Sequence, residues 1–232
     1  MSTIGETPRL RYDEGCLAAH ALNLIGDRWA LLVVRELMLR DKRFQAIRTG
    51  LPGITAGVLT QRLSQLIGAG VALHDPETGL YGLTGSGRAL QPVLVALCHW
   101  GSQHPGHDPR RFISPTALMI SMSAKINTAA AAGCGTVAGI AAGNEAFTLR
   151  LDKHGALLAT PGLQNGCDFI LSGSGNTLAR AIYGPQPVAA LQAADIIALE
   201  GDASAAQSFV DLFSLRHIGD IVTTGANAGD RG

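Results

Sequence analysis

The stretch that most constrains this chain runs from Ile54 to Gly70, preceded by the turn Leu51-Pro52-Gly53. Proline cannot continue a helix and glycine relieves the backbone, so one helix must end before this turn and another begin after it. Thr55 stands where a helix cap belongs, and Val58, Leu59, Leu63, Leu66 and Ile67 recur at spacings of three and four, which makes one buried face. The opposite face carries Thr60, Gln61, Arg62, Ser64 and Gln65, with one charge among them. Short amide, hydroxyl and guanidinium groups are the types that reach base edges in a major groove, although an ordinary polar helix face has the same look in isolation. The neighbours decide between the two.

Before the turn, residues 16–25 predict a helix with Leu17, Ala21, Leu24 and Ile25 on one side, ended by Gly26. Residues 29–39 predict a second, largely buried helix, with Asp27 as its cap. Asp41, Lys42 and Arg43 read as a polar connection, and residues 44–49 as a short third helix. Two helices joined by a short glycine-containing turn, with the polar-faced one second, form a helix-turn-helix. After it, Val71 to His74 and Leu80 to Leu83 flank the turn formers Asp75 to Gly79, a hairpin by composition, and a third short segment could pair with it to complete the small sheet of a winged helix. A helix capped by Thr84 then runs to Gly101 with an apolar stripe. This helix and the first carry more apolar surface than a three-helix core absorbs, so they are expected to pair between two subunits and present two recognition helices to a palindromic site.

These segments carry a resemblance. Cys16 and the alanine-rich helix after it, Ile25 to Leu32, Arg35-Glu36-Leu37, Arg43-Phe44, Leu51 to Ile54, Leu59 to Leu63 and Tyr81 to Arg88 are similar, in order and spacing, to the DNA-binding domain of the HxlR family, winged-helix bacterial regulators close to the MarR type. The resemblance implies a homodimer on double-stranded DNA, with Thr55, Thr60, Gln61, Arg62 and Gln65 facing the groove and Arg43 and Arg48 near phosphates. Two features run against it: the wing tip is acidic, at Asp75 and Glu77, and basic residues are sparse on the recognition helix. Some members of the family sense oxidants through a cysteine where Cys16 stands, at a helix start that can lower a thiol pKa; the alternative for Cys16 is a small residue packed in the dimer interface.

Beyond the proline-broken segment at residues 105–113, Ser114-Pro115 opens a helix in cap and first-turn positions. Four strand-like segments follow, separated by the turn formers Gly-Asn, Lys-His-Gly and Gln-Asn-Gly and so expected to be antiparallel, then helices at 177–183 and 188–191, a strand at 195–199 and a helix at 202–213. The whole is read as α+β: an N-terminal winged helix domain over residues 1–104, a linker over 105–113, a second domain over 114–216 and a flexible tail over 217–232. The second domain resembles the sterol carrier protein fold through Cys167 to Ser174, Leu178 to Gly184, Pro187 and Ile196 to Asp202. That resemblance implies an apolar pocket for a hydrophobic small molecule, with Leu118, Met122, Phe147, Leu149, Phe169, Leu171, Ile182, Tyr183, Phe209 and Phe213 as candidate lining.

Other classes find little support. The chain has 18 basic and 18 acidic residues, with ten against eight up to His104 and eight against ten beyond it, so phosphate contacts must come from local clusters. The four cysteines are widely spaced and fit no zinc pattern, and no cofactor motif, phosphate-binding loop or catalytic signature is present, so neither a metal, a cofactor nor an enzymatic activity is expected. Met1 to Glu6 lacks a basic region leading into an apolar core, and no apolar run is long enough to span a bilayer. A cytoplasmic, ligand-responsive regulator is therefore the leading expectation. Its alternatives are a winged-helix scaffold that has lost DNA binding and serves as a carrier or biosynthetic enzyme, and a thiol sensor acting through Cys16.

Overall fold

The computed structural model describes residues 12–215. The tail expected at 217–232, residue 216 and the polar lead before Tyr12 lie outside the described residues. The first half is built from α1 (Leu17–Ile25), α2 (Ala30–Leu37), β1 (Lys42–Arg43), α3 (Phe44–Thr49), α4 (Ala56–Gly68), β2 (Ala72–Asp75), β3 (Leu80–Leu83), α5 (Gly85–Arg88) and α6 (Gln91–Ser102). Its three strands form one antiparallel sheet in the order β1-β3-β2. Helices α3 and α4 are the helix-turn-helix and the sheet is the wing.

Local chemistry sets these boundaries. The Thr55 side chain accepts the Val58 N–H at 3.3 Å, which starts α4. Gly53, at φ +90°, makes the reversal that a Cβ would strain. Leu59, Leu63 and Leu66 point inward from α4 onto Val33, Val34, Leu37 and Ile47. The single helix expected from Thr84 to Gly101 is two, α5 and α6, because Pro92 sits in the first turn of α6 and forces a new start. The stretch expected as a polar connection at Asp41 to Arg43 is in part strand β1, the third strand of the wing, and Lys42 within it is buried.

The second half comprises α7 (Pro115–Lys125), α8 (Thr128–Ala131), β4 (Ala138–Ala142), β5 (Glu145–Leu151), β6 (Leu157–Pro161), β7 (Phe169–Gly173), α9 (Gly175–Tyr183), α10 (Val188–Ala193), β8 (Ala198–Gly201) and α11 (Ala203–Val210). The strands form one sheet in the order β6-β5-β4-β7-β8. It is not wholly antiparallel as the turn-rich sequence implied: β4 pairs parallel to β7, Ala138 opposite Phe169. Parallel neighbours need a long crossover, and here β5, β6 and the loop after β6 supply it. The segment Gly173-Ser174-Gly175 starts α9 through a capping box between Ser174 and Thr177. The α+β class holds, with the helices packed against the sheet around Phe147, Phe169 and Phe209.

Helix α7 belongs to both cores. Leu118, Met119 and Met122 enter the second, whereas Ile120 enters the first. Leu39, after α2, packs in the opposite sense against the second core. The two halves thus share packed side chains across the segment at residues 105–113.

Candidate nucleic-acid interface and interdomain cavity

On α4 the outward face presents Gly57, Thr60, Gln61 and Ser64, all exposed and uncharged. Thr60 returns its hydroxyl to the Ala56 carbonyl at 3.0 Å, while Thr55 is committed to its cap. Arg62 is placed differently from the expectation that it faces a groove. Its guanidinium turns inward to pair with Asp27, ahead of α2, and with the Gln65 side-chain carbonyl, leaving the side chain 16 % exposed. The physical reason is position on the wheel: Arg62 and Gln65 sit beside Leu63 and Leu66 at the edge of the buried face, within reach of a carboxylate.

Arg43 and Arg48 are exposed. In β1 the strand alternation sends Lys42 inward and Arg43 outward, so one two-residue strand serves both the interior and the surface. On the wing, Asp75 folds its carboxylate into the hairpin turn. It accepts the Glu77 N–H at 2.9 Å and the Thr78 hydroxyl at 2.6 Å, and the Thr78 bond, more than any other contact, holds its pKa below the ordinary carboxylate value. Glu77 stays exposed at the tip. Cys16 is exposed at the N-cap of α1 and its thiol makes no capping bond.

The helices expected to pair between subunits leave apolar side chains in solvent. Leu17 is 85 % exposed on α1, and Val93, Leu97 and Trp100 are exposed on α6.

Where the two halves meet lies a set of buried polar groups. Glu36, with no exposure at all, accepts on one carboxylate oxygen from Arg35 Nη2 at 2.8 Å and from the Ser114 hydroxyl at 2.7 Å. On the other it accepts from Lys42 Nζ at 3.2 Å. Lys42 spends its remaining donors on Thr116 Oγ1 at 2.9 Å and Glu145 Oε1 at 2.8 Å. All three ammonium protons have acceptors, as burial of a charge requires. Gly50, in the turn before α4, closes on the same carboxylate: an added Cβ there would strike Glu36. Glu36, Lys42, Ser114, Thr116 and Glu145 were not among the expected site residues. One signal was available, since Glu36 lies on the same face of an apolar helix as Val33 and Leu37.

Of the ten residues expected to line an apolar pocket, Leu118, Met122, Phe147, Leu149, Phe169, Leu171, Ile182, Phe209 and Phe213 are buried within the second core. Tyr183 is the one of the ten that borders a cavity of about 620 Å³ between the halves, where Trp29, Leu32 and Cys98 face Ala117 and Ala179. Its hydroxyl lies 2.9 Å from Ser121 Oγ, and burial raises its pKa well above the ordinary phenol value. Burial likewise raises that of Cys98. Among the described residues no group of three or more His, Cys, Asp or Glu gathers to hold a metal, and no single helix is long and apolar enough to cross a membrane.

Comparison with known proteins bears on the first half. Residues 24–109 match the model of the HxlR-like helix-turn-helix family. Over 92 residues the chain is 37 % identical to an uncharacterised HTH-type transcriptional regulator of Synechocystis sp., covering 38 % of this chain and 68 % of the relative. It is 35 % identical to the HTH-type transcriptional regulator YvaP of Bacillus subtilis, covering 36 % of this chain and 82 % of the relative. Among solved structures, quinone-bound YodB of B. subtilis is similar at 32 % identity and TM-score 0.35, over 38 % of this chain and 97 % of that one. A ubiquinone synthesis protein, UbiJ-SCP2, is similar at 16 % identity and TM-score 0.31, over 37 % of this chain and 69 % of that one.

Proposed function

The chain belongs to the HxlR-like helix-turn-helix family, a family of DNA-binding transcriptional regulators, and from that premise we propose that it is a homodimeric regulator whose second domain answers to an apolar small molecule. Two copies would pair through the exposed faces of α1 and α6, setting two α4 helices on a palindromic operator. Thr60, Gln61 and Ser64 would meet base edges, while Arg43 and Arg48 would meet phosphates. The observation that carries the regulatory reading is the junction of Glu36, Lys42 and Glu145. It ties α7 and β5 of the second domain to a wing strand and to the turn that launches α4. A ligand that prefers one placement of the second domain would then prefer one placement of the DNA-reading elements, which is what allosteric control requires.

A mobility-shift assay with DNA from upstream of the protein's own gene tests this reading. Absence of any specific shift at low salt, with folded dimer present, would sink it. A second reading has its own support: the α4 face offers no charge, Arg62 is engaged internally and Glu77 stands at the wing tip. On that reading the scaffold carries a small molecule without binding DNA, and recovery of a bound apolar ligand together with a failed shift would favour it.

A further inference from the structure

The cavity between the halves is apolar on most of its wall, through Leu32, Cys98, Ala117 and Ala179, yet basic side chains border it. Their states differ. Arg35 is held by Glu36 and by the Gly50 carbonyl, at 3.3 Å. Asp108, the one carboxylate on the wall among the described residues, is engaged by Arg110, with Nε at 2.9 Å, and approached by Arg111. Lys125, at the end of α7, has no such partner: its ammonium reaches Ser102 Oγ at 3.3 Å, and among the described residues no carboxylate lies within ion-pair distance. Burial lowers its pKa from the ordinary lysine value, the mark of a cation partly stripped of water without compensation. An anion placed beside it would restore what desolvation removed, and the volume falls in the range of small-molecule sites.

We propose that this interdomain cavity is the effector site, and that it takes an apolar molecule bearing one carboxylate, the anion on Lys125 and the apolar body against Leu32, Cys98 and Tyr183. The proposal rests on the effector reading above and moves the site from the interior of the second core to the junction. Its consequence is mechanical: the ligand would touch α2 and α6 of the DNA-binding half and α7 and α9 of the other at once, through Leu32, Cys98, Lys125 and Tyr183. Arg35 and Ser114, which also border the cavity, both donate to Glu36 and link it to that carboxylate directly.

Calorimetry on the full chain tests this with decanoate and 2-naphthoate as chain and ring probes and decan-1-ol as the uncharged control. At least one carboxylate is expected to bind, and Lys125→Gln to weaken it by about tenfold while leaving decan-1-ol unchanged. Carboxylate affinity should fall as pH rises from neutrality toward 10, because Lys125 loses its proton below the usual lysine range, and this fall should vanish in Lys125→Gln. Ala117→Phe, which fills the cavity, should weaken carboxylate and alcohol alike. The proposal is overturned if neither carboxylate binds, or if binding is indifferent to both substitutions; the latter would place the ligand elsewhere and leave the effector reading standing. Carboxylate binding with the expected variants but no operator shift would retain the site and reject the regulator.

Discussion

Lys42 and Glu145, 103 positions apart, meet with Nζ 2.8 Å from Oε1, and the lysine side chain is only 3 % exposed. One sits in a wing strand and the other opens a strand of the second sheet. Removing one member of a buried ion pair leaves an uncompensated charge, which costs about 3–5 kcal/mol. Lys42→Met is therefore expected to lower the urea midpoint by that equivalent, and the triple change Lys42→Met, Glu36→Gln, Glu145→Gln to recover much of the loss. An unchanged midpoint in Lys42→Met would show that the junction contributes no net stability.

Gly50→Ala tests how closely the turn before α4 is held. The added Cβ would meet the Glu36 carboxylate, which Arg35, Lys42 and Ser114 keep in place, so relief must come from the turn itself. A loss of about 1–3 kcal/mol is expected, as for other overpacked sites. Weakened operator binding should accompany it, read from a titration at fixed salt.

On the DNA face, the placement of Arg62 redistributes the expected effects. Gln61→Ala should cost about 1–3 kcal/mol in specific binding and little on random DNA. Arg48→Ala should weaken both and reduce the slope of log affinity against log salt by about 0.9. Arg62→Ala should act through the position of α4 against Asp27, so it should lower thermal stability as well as affinity. Affinity lost without any change in melting temperature would place Arg62 on the DNA instead.

The apolar faces of α1 and α6 predict assembly. Leu97→Glu or Trp100→Glu should convert a dimer to a folded monomer, seen by light scattering coupled to gel filtration, because a carboxylate cannot be buried unpaired across a two-fold interface. A chain that is already monomeric before substitution would refute the pairing.

The first domain was legible in the sequence because its signals are local. Thr55, the Leu-Pro-Gly turn and the spacing of Leu59, Leu63 and Leu66 each act within one helical turn, and the same is true of the Ser114 cap. Lys42 and Arg62 were not legible. Both are charged residues in polar surroundings by sequence, and their carboxylate partners come from other elements: Glu36 from the preceding helix and Glu145 from the second sheet for Lys42, and Asp27 for Arg62.

The strand order of the second sheet lay equally out of reach, since a turn-rich run of strands is compatible with antiparallel neighbours throughout and the pairing of β4 with β7 is a long-range choice. What the sequence determined by itself, then, was the kind of elements and the helix that would face outward at residues 56–68. What only the tertiary structure decided was which charges are free to meet a partner and where a cavity opens. Periodicity and capping are settled by neighbours a few residues away, whereas desolvation of an ionisable group depends on everything the fold packs around it.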